Sequence, residues 1–293
     1  MFTELFEHPI IPYDETSIGL GDVFMKACGL IVEYNPLHNG HVYHIQEAKK
    51  LAGADCIIAV MSGSFLQRGE PAIIDKFHRT EAALSSGVDI VLALPYAYAV
   101  QSSKWFAKGS VRTLDAIGVS SICFGSESGN IDGFMISHHL LKEKEPAYSK
   151  ELKDHLKQGY SFPKASTIAK QNVGLTSEGI DLTKPNNILG FSYVNTILND
   201  RLPIKPLTIK RTNSGYHDQS ISGTIASATS IRKQLLLHSN VPTDVVYTIP
   251  NKTLEQLQSY KQTTSLWHSW EDYFPLLHYR VLTMSPNELA AIE

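Results

Sequence analysis

The stretch EYNPLHNGHVYH, from Glu33 to His44, places His38, His41 and His44 where an apolar run gives way to a helical pattern. A helix start carries unpaired backbone N–H groups and about half a positive charge. An anion gains roughly 0.3–1 kcal/mol there, and about 2 when partly buried. The rings of His38 and His41 add hydrogen-bond donors suited to phosphate oxygens, and Gly40 removes a side chain that would hold a phosphate off. The pattern reads as a polyphosphate cradle. Its chemistry is attack on the α-phosphate of a nucleotide, with fixed donors stabilising the charge that builds on the phosphate oxygens and no covalent enzyme intermediate. Two plainer readings stand beside it. An H-x-x-H pair with His44 could hold a metal, but no carboxylate follows at helical spacing and His38 precedes the helix. Histidines capping a surface helix would need no function, and His44 alone reads first as a packed helix residue.

A cradle needs a frame, and the first half of the chain supplies an alternating one. CGLIVEY (28–34), DCIIAVM (55–61), DIVLALP, which stops at Pro95, and VSSICFG (119–125) read as buried strands. HVYHIQEAKKLAG (41–53), DKFHRTEAALSSG (75–87) and SSKWFAKGSVRTLDAIG (102–118) read as helices, with Asp75 a cap and Gly53 and Gly87 at helix ends. Strands apolar on both faces and alternating with helices imply an α/β fold with a Rossmann-like parallel sheet. Ligands of such a sheet bind beyond the carboxyl ends of its strands, where His38 and His41 fall.

After Gly125 the pattern turns mostly helical, giving an expected helical insertion over about 131–200, broken at Pro146, Pro163 and Pro185. LPIKPLTIKR (202–211) reads as a further strand and TSIRKQLLLH (229–238) as a short helix. The expected organisation is an extension over 1–24, a nucleotide-binding domain over 25–235 and a helical C-terminal region over 236–293. Residues 1–24 are acidic, without Lys or Arg, and lack the basic start and apolar centre of a secretory signal. Met25 is the natural-looking start. The chain stops inside another helical pattern, SPNELAAIE, which is expected to be a truncated end.

The chain has 293 residues, 43% hydrophobic and 19% charged, a globular balance rather than a disordered one. Its formal net charge of -3 leaves nucleic-acid contact to local basic patches. One such patch lies in 200–235, where Arg201, Lys205, Lys210, Arg211, Arg232 and Lys233 face only Asp200 and Asp218. No apolar run approaches the roughly 20 residues that span a bilayer. Cys28, Cys56 and Cys123 are far apart, odd in number and set in apolar runs, as expected of reduced thiols in a cytoplasmic protein.

The residues HNGH (38–41) resemble the H-x-G-H signature of the nucleotidyltransferase superfamily. SATSIRKQL (227–235) resembles that superfamily's downstream motif, in which a helix start and a basic side chain hold the outer phosphates. Thr229 and Ser230 suit its N-cap, and Arg232 and Lys233 its phosphate contacts. GLIVEYNPLHNGHVYHI, MSGSFLQRGEPAIIDKFHRTEAAL, DIVLALP, FGSES, PNNILGFSY and IKRTNSGYHD together resemble the bacterial tRNA(Met) cytidine acetate ligase family, from Met25 to the end. Members of that family continue beyond the point where this chain stops.

The resemblance implies an ATP-dependent ligase that activates acetate as acetyl-adenylate, releases pyrophosphate and acetylates the wobble cytidine of elongator tRNA(Met). It implies an ATP-binding loop of Ile31, Val32, Glu33, Tyr34, Asn35, Pro36, Leu37, His38, Asn39, Gly40, His41, Val42, Tyr43 and His44, with His38 and His41 catalytic. Gly125, Asn186 (in preference to Asn187) and Arg211 are its further ATP positions. Mg²⁺ is expected with the ATP phosphates. Lys205, Lys210 and Lys233 are candidate tRNA contacts. Gln67, Arg68 and Gly69 suggest a lid or substrate loop, and Asp75, Lys76 and Arg79 a helix start that touches the site. A small-molecule nucleotidyltransferase and a non-catalytic RNA-binding module remain the alternative readings.

Overall fold

A computed structural model describes residues 25–175, 180–211 and 226–292. The extension over 1–24 and Asp218 lie outside the described residues. Five strands form one parallel sheet: β1 (Ala27–Val32), β2 (Cys56–Ser62), β3 (Ile90–Leu94), β4 (Ser121–Ser126) and β5 (Lys205–Lys210), in the order β3-β2-β1-β4-β5. Along β2 the side chains alternate between faces. Ile57, Ala59 and Met61 join Cys28, Leu30 and Cys123 against helix α1 (Asn39–Ala52) and α2 (Lys76–Leu84). Ile58 and Val60 join Ile122 and Phe124 on the other face. The cover there is α4 (Ser103–Ala116), which follows the short α3 (Tyr96–Ala99), together with α5 (Ile131–Glu143) and α8 (Pro185–Asn199). This is the three-layer parallel α/β arrangement that the alternation predicts.

Two of the predicted helix signals appear in place. Gly53 ends α1 at φ 56°, and Asp75 caps α2 by accepting from Phe77 N (2.7 Å) and His78 N (2.9 Å). Helices α6 (Glu145–Lys157) and α7 (Phe162–Asn172) continue the helical stretch. Helix α8, expected as part of an insertion, belongs instead to the core: Phe191, Val194 and Ile197 are buried under the sheet. A Cβ on Gly190 would come within 2.3 Å of the Phe124 ring, so only glycine permits this approach of α8 to β4.

The later chain forms α9 (Ala228–Leu237), α10 (Thr243–Val246), α11 (Asn251–Thr264), α12 (Trp270–Thr283) and α13 (Pro286–Ala290). Ile231 and Leu235 of α9 share one buried cluster with Val245, Ile249, Leu257 and Trp267, and with Ile73 and Ile74 from the loop before α2. Packing therefore runs straight across the expected boundary at 235/236. Helices α12 and α13 bury no residue among those described. The three cysteines are free, with Cys28 and Cys123 buried and Cys56 half-buried. Among the described residues no helix is long and apolar enough to cross a membrane.

Candidate active site

The strand order reverses between β1 and β4, and a crevice opens at their carboxyl ends. The chain leaves β1 through Tyr34, at φ 46°, and a cis Asn35–Pro36 bond, then enters α1 with His38 as its N-cap residue. Asn35 holds this turn. Its Oδ1 accepts from Ile73 N (2.8 Å), and its carbonyl accepts from the Arg232 guanidinium (3.0 Å). At the other side, Asn39 N donates to the Thr248 carbonyl (2.9 Å) and Asn39 Nδ2 to the Tyr247 carbonyl (3.1 Å).

The His38 and His41 rings are stacked, with centroids 3.7 Å apart and planes 24° from parallel. Tyr34 meets His41 edge-on at 5.0 Å. His38 N donates to His41 Nδ1 (3.2 Å), which leaves the His41 proton on Nε2. His38 Nδ1 and His44 Nε2 are buried with no hydrogen-bond partner among the described residues. A buried polar atom left unpaired costs about 1–3 kcal/mol, which a hydrogen-bonding ligand in the crevice would offset. Burial, followed by the positive charge of Arg211, lowers His38 to about 3 and His44 to about 4. Burial also lowers His41 well below its ordinary value, with His38, Arg211 and His44 adding to the effect. At neutral pH all three rings are therefore uncharged donors.

The crevice is a cavity of about 330 Å³. Arg68, Lys210, Arg211 and Arg232 supply its positive charge, and the first turn of α9 reaches it through Ser227, Ala228 and Thr229. The N-cap of α9 is Ser227, whose Oγ accepts from Ser230 N (3.0 Å), and not Thr229 or Ser230 as the sequence suggests. Thr229 faces the cavity. Ser230 is buried and turns its hydroxyl back to the Ser227 carbonyl (2.8 Å). Lys233 is exposed and does not line the cavity. Lys210 lines it, but Lys205 begins β5 at the opposite end of the sheet.

Gly125, on the penultimate position of β4, lines the cavity, where a Cβ would meet Arg211 Cγ at 3.4 Å. Asn186 lines it too, with Nδ2 held by Glu127 Oε1 (2.8 Å). Asn187 does not: it is buried, accepts from Glu127 N and Ser128 N, and donates to the Asp181 carbonyl. The geometry thus separates an amide that faces the cavity with its nitrogen on Glu127 from one buried and used by the fold on both its oxygen and its nitrogen.

The stretch 62–79, expected to be a lid or substrate loop before a helix, is tied down over 62–75. Leu66 N bonds the Glu70 carbonyl, Ala72 N bonds the Ser64 carbonyl, and Leu66, Ala72, Ile73 and Ile74 are buried. Its tip still forms one wall, through Leu66, Gln67, Arg68 and Glu70. Asp75 and Lys76 do not line the cavity, nor does Arg79. Arg79 is fully buried and donates to the carbonyls of Glu33 (2.6 Å), Ile74 (3.3 Å) and Gly63, so it is a strut beneath the site. Sequence reasoning missed Phe106, Phe124, Leu189 and Tyr193, which form the apolar wall. It also missed Glu70, which pairs with Arg232 at 3.4 Å across the crevice. Apolar residues inside core elements carry no local mark that they face a cavity rather than a neighbour.

Residues 25–293 match the family described as HIGH Nucleotidyl Transferase. The chain is 58% identical over 269 residues to the tRNA(Met) cytidine acetate ligase of Oceanobacillus iheyensis, which covers 92% of this chain and 67% of that one. The chain belongs to the tRNA(Met) cytidine acetate ligase family. The Bacillus subtilis member is 45% identical over 92% of this chain and 65% of its own length. Two crystal structures of Thermotoga maritima TmcAL, each 41% identical, share the fold. One is bound with alpha-thio ATP (TM-score 0.71, 80% of this chain and 56% of that one) and one is apo (TM-score 0.74, 83% and 58%). The chain thus spans about two thirds of the length of the curated family members and less of the solved ones.

Of the family loop from Ile31 to His44, the residues Ile31, Val32, Glu33, Tyr34, Asn35, His38, Gly40, His41, Tyr43 and His44 line the cavity. The other four hold the loop in place. Leu37 is buried in the core under α1, Val42 packs against the same cluster, Asn39 docks on Thr248, and Pro36 sits in the turn.

Proposed function

We propose that this chain binds ATP in the crevice between β1 and β4 and uses it to activate acetate as acetyl-adenylate, for transfer to the wobble cytidine of elongator tRNA(Met). The observation that carries this reading is the stacked pair at the start of α1, with His38 Nδ1 buried and unpartnered. His38, His41 and the Gly40 end of α1 grip the α- and β-phosphates, and Arg211, Thr229 and Arg232 the outer ones. The ribose lies over Gly125, and Asn186 reads the adenine edge.

An acetate oxygen attacks the α-phosphorus, and the bond to the bridging oxygen of pyrophosphate breaks. Neutral imidazole donors and Arg211 stabilise the charge gathering on the phosphate oxygens. The N4 amine of the cytidine then attacks the acetyl carbonyl carbon. AMP leaves with the electrons of the acyl–oxygen bond, and the amine sheds one proton. Among the described residues no group of three His, Cys, Asp or Glu side chains is placed to hold a metal. Magnesium, which accompanies ATP phosphates, would enter with the nucleotide as part of the substrate. The use of ATP and tRNA sets the reaction in the cytoplasm.

The test is pyrophosphate release with ATP, acetate and tRNA omitted in turn, for the wild type and for His41→Ala. Release that needs acetate and rises with tRNA supports the reading. Release driven by a phosphorylated metabolite without RNA would assign the chain to the small-molecule nucleotidyltransferases, and RNA retention without turnover would make it a binding module.

A further inference from the structure

Beside the cavity, four aromatic rings from three separate elements meet at the surface. Phe65 sits on the loop whose next residues, Leu66, Gln67 and Arg68, form the cavity wall. Its ring lies 6.1 Å from Tyr96, 6.1 Å from Trp270 and 5.8 Å from Tyr273, by centroids. Tyr96 opens α3 directly after the carboxyl end of β3, on the same side of the sheet as His38. Two strand spacings separate β3 from β1, which sets the lateral distance at about 10 Å. Tyr273 is anchored: both nitrogens of His268 engage tyrosine hydroxyls, Tyr273 at 2.7 Å and Tyr260 on the other side, and His268 N donates to the Ile73 carbonyl (3.1 Å).

Two of the rings are nonetheless open to solvent, Tyr96 65% and Trp270 45% exposed, while Phe65 and Tyr273 are half-buried beneath them. The first turn of α4 adds exposed Trp105, with Lys104 and Lys108 over its face at 5.9 and 5.4 Å. Gln67 Nε2 bonds the Gln101 carbonyl (2.7 Å) and ties this segment to the cavity wall. Against these lysines and Arg68 stand Glu271 and Asp272, the latter taken up by Ser269 at 2.7 Å.

Flat exposed rings backed by an anchored aromatic cluster, with cations beside them, fit unstacked bases and the phosphates between them. A globular protein partner would be met better by aliphatic surface, which lies further along α12 at Leu276, Leu277 and Leu282. We propose that Phe65, Tyr96, Trp270 and Tyr273 form a stacking shelf for a single-stranded RNA loop, holding the nucleotides that flank the base presented to the cavity. This rests on the proposed tRNA reaction for the identity of the RNA. About 10 Å is the reach of roughly three stacked nucleotides at about 3.4 Å each, so the shelf holds neighbours of the target and not the target.

The experiment uses the whole chain and an anticodon stem-loop RNA carrying a cytidine at the wobble position. Tyr96→Ala and Trp270→Ala each weaken binding about 5- to 100-fold. Tyr96→Phe and Trp270→Phe retain it, and thermal melting is unchanged in the Tyr96 variants. Acetate-dependent ATP–pyrophosphate exchange stays at the wild-type rate, since neither ring lines the cavity. Replacing Lys104 and Lys108 by Ala flattens the salt dependence, whereas the ring variants leave its slope alone. Unchanged RNA affinity in the double alanine variant overturns the shelf. So does self-association that Trp270→Ala abolishes while RNA binding persists, which would assign the surface to a second copy. A wild type without acetate-dependent exchange, but with RNA binding that needs both rings, would sink the proposed reaction and leave the shelf standing.

Discussion

His38 donates its backbone N–H to His41 Nδ1 while the two rings stack at 3.7 Å, so each histidine fixes the other's tautomer or plane. The His41 proton is left on Nε2. Pre-set donors of this kind are worth most where charge develops.

Replacing His41 by Asn removes the Nε2 donor and the stacking surface. We expect pyrophosphate release to fall about 100- to 1,000-fold, with the thermal midpoint held close to the wild type. Turnover within about tenfold of the wild type would show that His41 does not meet the reacting phosphate.

The three histidines also set a pH limit on the free protein. In the unfolded chain they titrate near 6.5, while the fold lowers His38 to about 3, His44 to about 4 and His41 well below 6.5. The unfolded state therefore takes up protons first as pH falls. The stability of the neutral rings is complete above about 6.5 and is lost as pH falls from there toward the folded values, at roughly 1.4 kcal/mol per pH unit for each proton. Urea midpoints between about pH 7.5 and about pH 5 measure this. The dependence should be weaker by about one proton in His44→Gln, and identical slopes would contradict it.

Asn186 and Asn187 are neighbours with opposite expected phenotypes. Asn187→Ala strips partners from Glu127 N, Ser128 N and the Asp181 carbonyl, and should destabilise by about 2–4 kcal/mol. Asn186→Ala should leave the unfolding midpoint nearly in place and raise the KM for ATP. Denaturation curves and KM for both variants check the pair, and the reverse pattern would exchange their roles.

Arg79→Met leaves three carbonyls, those of Glu33, Gly63 and the buried Ile74, without their shared donor. A loss of about 3–5 kcal/mol is expected, visible as a shift of the urea midpoint. Arg79→Lys should recover only part of it, since one ammonium cannot reproduce the guanidinium fork. No shift in either variant would remove Arg79 as the strut.

What could be read in the sequence was what short-range physics dictates. The β2 run of apolar residues demands cover on both faces, Gly53 can take a left-handed φ, and Asp75 can cap. The histidine turn was legible because its residue types are unusual at a helix start. The cap of α9 was misplaced because Ser227, Thr229 and Ser230 all have the right chemistry. Only the approach of the chain from Ala226, which is buried among Ile73 and Ile231, selects among them. The fixing of the 62–75 loop escaped for a similar reason: its anchor, Asn35, lies far upstream and meets Ile73 N only after folding. Helix α8 reads as one more apolar helix, and its place beneath β4 depends on the missing Cβ of Gly190.

The bonds from Asn39 to the carbonyls of Tyr247 and Thr248 have a practical corollary. A fragment trimmed to the five-stranded half would keep every phosphate-facing histidine, yet its first helical turn would fray for want of that distant latch. Gene shuffling that swaps everything after α9 should therefore disable nucleotide capture, even though no exchanged residue lines the crevice.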